Sequence, residues 1–121
     1  MIDKAFAEHF AADWVEAWNQ HDLNRVLLHY VDDVEMSSPV IIKLVGEPSG
    51  TLKGKQAVAA YWVKALQLFP SLHFELLATL IGANSITLYY DGVSGASAEV
   101  FHFNDENKVT RAYAHYLKPI A

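Results

Sequence analysis

The chain of 121 residues has no cysteine, which excludes disulfides, thiol nucleophiles, cysteine-rich zinc sites and iron-sulfur clusters. Basic residues are also scarce, nine Lys plus Arg against fourteen Asp plus Glu for a net charge of -5. They are scattered, so no basic stripe exists to neutralise phosphates and nucleic-acid binding is not expected. An acidic membrane surface would repel the chain as well. No segment approaches the ~18 uninterrupted apolar residues of a membrane span. The opening MIDKAFAEHF carries Asp3 and Glu8 and lacks a long apolar run, so no signal peptide is expected and a cytoplasmic location is. Repeats, low-complexity tracts and interdomain linkers are absent. What is present is apolar bulk, 52% hydrophobic and 12% aromatic residues. That suits a single domain over residues 1–121, burying roughly two thirds of its unfolded surface.

Ile2, Phe6, Phe10, Trp14 and Trp18 recur every fourth residue, which predicts a long first helix with an aromatic stripe, ending near Asn19-Gln20-His21. Asp22 is a good N-cap for a second helix carrying Leu23, Val26, Leu27 and Tyr30. Val34, Met36 and Ser38 then alternate with polar residues as a short strand that Pro39 ends. Val40 to Val45 reads as a strand, and the Gly46 to Gly50 turn cluster could close it into a hairpin with Thr51 to Lys53. A third helix follows Gly54, with Val58, Tyr61, Trp62, Ala65, Leu66 and Phe69 at helical spacing, and stops at Pro70. From Leu72 onward the period is two, which predicts three long strands joined by short links and therefore antiparallel. The class is α+β, three N-terminal helices packed in a strongly curved antiparallel sheet, a cone-shaped barrel.

In the last hairpin, a four-residue turn over Asn104 to Asn107 would pair Phe103 with Lys108, Phe101 with Thr110, Glu99 with Ala112 and Ser97 with Ala114. One face then carries Ser97, Glu99, Phe101, Thr110, Ala112, Ala114 and Tyr116. The other carries Val100, His102, Val109, Arg111, Tyr113 and His115. Glu99 is the lone carboxylate on the first face. Burial raises the pKa of such a group and produces a neutral acid able to donate a hydrogen bond or a proton. If the strand were displaced by one residue, Glu99 would instead face water. Asp32 and Asp33 read as a solvated corner rather than a paired catalytic site. The six histidines lack HxH or HExxH spacing, so no metal site is expected.

The runs Trp14-Val15-Glu16-Ala17-Trp18-Asn19-Gln20-His21-Asp22-Leu23 and Tyr30-Val31-Asp32-Asp33-Val34 resemble the opening of the nuclear transport factor 2-like superfamily. Leu52-Lys53-Gly54-Lys55-Gln56-Ala57-Val58-Ala59-Ala60-Tyr61-Trp62 and Phe101 to Val109 extend the resemblance over essentially the whole chain. SnoaL-like proteins are most similar, with ketosteroid isomerase as a relative. The resemblance implies a bent sheet and three helices around an apolar pocket, commonly in a dimer packed through the outer sheet face. Residue by residue, the isomerase's general base, an Asp before a Pro, falls on Ser38. Its oxyanion-hole Tyr and Asp fall on Trp14 and Glu99, and a supporting Tyr on Trp62. Steroid isomerisation by that arrangement is not expected. Nor is the Asp-Arg-Asp chemistry of epoxide hydrolases of this fold, the arginines being Arg25 and the outward Arg111.

Two functions remain. The first is binding of a small hydrophobic carbonyl compound, with isomerase- or cyclase-like proton transfer through Glu99, in a pocket lined by Trp14, Trp18, Tyr30, Met36, Ser38, Trp62, Phe101, Ala112 and Tyr116. The second is a non-catalytic ligand-binding or dimerisation module with its aromatic core packed shut. Neither requires a cofactor. A homodimer through Val100, Val109, Arg111, Tyr113 and His115 is expected, since Tyr and Arg are enriched at interfaces.

Overall fold

The computed structural model describes residues 2–118. The first helix, α1, spans Lys4–Asn19, and the Asp3 side chain caps it by accepting from the Phe6 amide. Its buried stripe holds Phe10, Trp14 and Trp18, with Ala7, Ala11 and Ala17 letting the helix lie close to its neighbours. Asp22 caps α2, Leu23–Leu27, through the Arg25 amide. This helix stops short of Tyr30, contrary to the helical spacing, because the sheet captures the chain there. The Val109 amide donates to the His29 carbonyl, 2.8 Å, and Tyr30 opens β1, Tyr30–Ser37.

The expected strand over Val40 to Val45 is a helix, α3, Pro39–Val45. Three terminal devices outweigh the β-branched run. Pro39 occupies the first turn, where its missing N–H costs nothing, and the Ser38 hydroxyl accepts from the Val40 amide. Gly46 ends the helix in the left-handed region, φ 77°, its amide donating to the Ile42 carbonyl. The short β2, Thr51–Lys53, therefore pairs with β1 and not with residues 40–45. The long helix after Gly54, α4, spans Lys55–Leu68. Counting α3, the described residues hold four helices rather than three.

Four strands, not three, follow: β3 (Glu75–Ile81), β4 (Ser85–Gly92), β5 (Gly95–Phe103) and β6 (Val109–Tyr116). The sheet runs β2-β1-β6-β5-β4-β3 and is open, with β2 and β3 at its edges. Every pairing is antiparallel except β1 with β6, which is parallel. Its buried face closes over α1 and α4 around one core that includes Phe10, Trp14, Trp62, Ile86, Leu88 and Phe101. Each large side chain so buried contributes on the order of 2 kcal/mol.

The last hairpin is displaced from its expected register. Ser97 lies opposite Tyr116, Glu99 opposite Ala114, Phe101 opposite Ala112 and Phe103 opposite Val109. The cause is the turn. The Asn104 side chain accepts from the amides of Glu106 and Lys108, both 3.0 Å, and draws Lys108 into it. A slide of two residues preserves faces, so Ser97, Glu99, Phe101, Ala112 and Ala114 stay inside. A bulge at His102/Phe103 reverses the residues next to the turn. Val109, expected outside, is fully buried, and Thr110, expected inside, spends its hydroxyl on the His102 carbonyl. His115 lies opposite Ala98 rather than Ala96.

Candidate functional site

Between α1, α4 and the concave sheet is a cavity of about 60 Å³, open at one end, with Glu99 in its wall. Glu99 is 4% exposed, placed inward by the alternation of β5 with Ser97 and Phe101. Burial pushes its carboxyl pKa up to about 8, only partly offset by the Tyr90 hydroxyl, which donates to it over 3.4 Å. That distance is long for an O–H···O bond, so desolvation dominates and Glu99 is a neutral acid at pH 7.

Phenols surround the carboxyl. Tyr90 lines the cavity with Tyr61 and Tyr116. Burial raises all three phenol pKa values, with the nearby Glu99 charge adding to the rise. Tyr116 reaches about 12. Tyr116 also lies 3.4 Å from the Ser38 hydroxyl. Apart from Ser97, the remaining walls are apolar, among them Trp14, Trp18, Met36, Trp62 and Phe74. Glu99 is the one carboxylate in this lining, so the cavity offers hydrogen-bond donors without a second acid to serve as a separate base.

Of the residues expected to line a pocket, Trp14, Trp18, Met36, Trp62 and Tyr116 do so. Tyr30, Phe101 and Ala112 lie beneath the wall as core, and Ser38 stands behind Tyr116 as the cap of α3. Trp14 is not a free donor. Its indole N–H is given to the buried Tyr30 hydroxyl, 3.1 Å. Trp18 is different, because its indole Nε1 is the one buried side-chain polar atom without a partner among the described residues. Sequence reasoning missed Tyr90, Leu72 and Phe74. The Asp91-Gly92 to Gly95 turn could have found Tyr90, since it fixes a hairpin in which Tyr90 faces Ser97.

A separate charged cluster lies at the corner of α1 and α2. Asp13 accepts from Arg25 Nε, 3.0 Å, and from His29 Nε2, 2.7 Å. Burial pushes the Asp13 pKa up, but these two bonds prevail and lower it. None of these residues lines the cavity, and the cluster ties α1 to the chain entering β1. Asp32 and Asp33 are exposed within β1, and no histidine or carboxylate group able to hold a metal is found among the described residues.

A sequence model of the SnoaL-like domain matches residues 11–112. The chain belongs to the SnoaL-like domain family. It is 50% identical to a SnoaL-like protein of unknown function from Burkholderia thailandensis, covering 97% of this chain and 98% of that one with a TM-score of 0.92. Two more distant structures share the fold. An epoxide hydrolase/cyclase-like enzyme of pyran-ring formation in the polyether salinomycin is 13% identical over 95% of this chain and 93% of its own, TM-score 0.73. TerC, co-crystallised with polyporic acid, is 12% identical over 92% and 91%, TM-score 0.73. No curated protein matches the chain. This SnoaL-like chain thus has the cone fold of the nuclear transport factor 2-like superfamily, and no helix among its described residues is long and apolar enough to cross a membrane.

Proposed function

We propose that this SnoaL-like protein binds a compact hydrophobic carbonyl compound in the Glu99 cavity and promotes proton transfer on it, as an isomerase or cyclase would. The observation that carries this reading is a buried carboxyl, uncharged at pH 7, in a cavity walled mainly by aromatic and aliphatic side chains. Such an acid donates to a carbonyl oxygen and strengthens that bond as negative charge develops there during enolisation. The phenol of Tyr90 stands 3.4 Å from the carboxyl. The Trp18 indole N–H is buried without a partner in a residue of the same lining, and a buried donor without a partner favours a ligand or water that completes it. No separate base is present in the lining, so the step that balances uses both carboxyl oxygens. The O–H of Glu99 gives its proton to the ligand carbonyl while its C=O oxygen takes the proton from the adjacent carbon, and the reverse exchange at another carbon returns the acid unchanged.

The second reading, a closed module, has its own support. The cavity holds about 60 Å³, room for a few waters and well below the roughly 300 Å³ at which ordinary ligand pockets begin. In either reading two copies pack through the outer sheet face, where Val100, Arg111, Tyr113 and His115 lie beside the partly exposed Tyr89.

Titration of 1-indanone, a compact aryl ketone, against tryptophan fluorescence separates the two. The expected result is saturable quenching whose affinity falls about tenfold per pH unit above the ionisation of Glu99, near pH 8. In Glu99→Gln the pH dependence should vanish. Saturable binding with the same pH profile in both proteins would remove Glu99 from the mechanism. No binding of this ketone or of a panel of small aryl carbonyls establishes the closed module.

A further inference from the structure

The walls of the cavity differ in how they are held. The strands carry ladder hydrogen bonds, and α1 and α4 carry their own. Residues 69–74, between α4 and β3, belong to no helix or strand, yet Phe69, Leu72 and Phe74 form part of the lining. Ser71 and His73, facing the other way, are exposed. This strap is a roof one residue thick.

What keeps the strap down is the corner after α1. The Asn19 side chain grips the Phe74 backbone at both ends, its Nδ2 donating to the carbonyl at 2.9 Å and its Oδ1 accepting from the amide at 2.6 Å. His21, held in the left-handed region at φ 56°, places Nε2 2.9 Å from the Leu72 carbonyl. A carbonyl only accepts, so Nε2 carries the proton. Within the strap itself the Leu72 amide donates to the Phe69 carbonyl, 3.0 Å. Beneath it, Phe74 rests on Gly92, where a Cβ would stand 3.4 Å from the Phe74 ring and 3.1 Å from that of Tyr90.

We infer that Asn19 and His21 are positioning residues that latch the strap Phe69–Phe74 over the cavity and so set the size of ligand the protein admits. With the latch closed, the space suits a few waters. Anything larger requires the three side-chain bonds from Asn19 and His21 to break, and they are the only such bonds to the strap among the described residues. Such local opening is available to segments with few hydrogen bonds, well below the free energy of global unfolding. As an account of ligand admission the inference rests on the cavity being the binding site. As a statement about the strap it does not.

Acrylamide quenching tests the strap without a ligand, because Trp14, Trp18 and Trp62 line the cavity beneath it. His21→Gly removes the imidazole at a φ that glycine adopts freely, so the corner keeps its shape. Asn19→Asp retains the acceptor for the Phe74 amide but sets a carboxylate against the Phe74 carbonyl. Both variants should raise the quenching constant by about threefold or more while keeping the far-ultraviolet circular dichroism of the wild type. In the wild type, hydrogen exchange at Leu72 and Phe74 should be at least about tenfold faster than at Leu88 and Phe101.

Unchanged quenching in both folded variants, or strap amides as protected as the ladder, overturns the latch. Stopped-flow binding of 1-indanone then adds the ligand. Association should accelerate by about threefold or more in His21→Gly and the dissociation constant should fall in step, because the wild type must break the latch to hold this bicyclic ketone. Faster quenching with no ketone binding in any variant supports the latch and refutes the ligand reading. Binding at wild-type rates in the quenching-competent variants refutes the latch as a control on ligand admission.

Discussion

Glu99 stands out in the sequence because it is the single carboxylate on a face otherwise small or aromatic, and a slide of two residues in the hairpin kept it on that face. Its buried state has a consequence for stability. The unfolded chain releases this proton near pH 4.5, the folded chain near pH 8. Between those values the folded state holds a proton the unfolded state has lost, so stability falls as pH rises, by up to about 1.4 kcal/mol per unit, and levels off above pH 8. Glu99→Gln removes this slope and should be less stable than, or equal to, the wild type near pH 5 but more stable at pH 9. Urea unfolding at pH 5, 7 and 9 measures it, and parallel curves for the two proteins would mean that Glu99 is hydrated. Tyr90 was not legible in the same way. The alternation with Ile86 and Leu88 puts it on the buried face and Tyr89 outside, but its place beside Glu99 depends on the register with β5, which only the turn at Asp91-Gly92 to Gly95 fixes.

Elements were legible where one period ran for long enough. α1, α4 and the hairpin strands show it, whereas residues 40–45 do not. There the β-branched run Val40-Ile41-Ile42 argues for a strand, and the decision falls to Ser38, Pro39 and Gly46, single residues at the two ends of α3. The parallel pairing of β1 with β6 was beyond reach for a different reason, since it joins segments about seventy residues apart with no turn to announce it. If the ends decide α3, they should carry measurable stability. Gly46→Ala meets no atom within 4 Å, so its cost is conformational alone, about 1 kcal/mol for placing a side chain in the left-handed region. Ser38→Ala removes both the cap and the hydroxyl beside Tyr116, and should cost about 1–2 kcal/mol. Denaturant midpoints give both values. A negligible loss in both variants would mean that burial of Val40 and Ile41 holds the helix unaided.

At the scale of the whole molecule, the open sheet buries one face against the helices and leaves the other to solvent. An antiparallel sheet tolerates this when the outer face is polar. Here the centre of that face carries Ala98, Val100 and Tyr113, with His102 edge-on to the Tyr113 ring at 5.7 Å, flanked by Tyr89 and Arg111. The bulge that takes Val109 inside shortens the patch at the turn end, so the proposed homodimer centres on Tyr113 rather than on the hairpin tip. Each copy carries a net charge of -5, and their mutual repulsion opposes association from a distance. Apolar burial at the centre must exceed it. Screening should therefore tighten the dimer as salt rises toward about 0.3 M, where the Debye length is about 5.5 Å. Light scattering at low and high salt should give twice the 13.5 kDa chain mass for the wild type, more completely at high salt. Tyr113→Asp should give the single-chain mass at unchanged far-ultraviolet circular dichroism, because association would strip water from the carboxylate and bring two more like charges together at the centre of the face. A wild-type dimer that dissociates as salt is added would point instead to ion pairs through Arg111, and a Tyr113→Asp dimer would move the interface off this face.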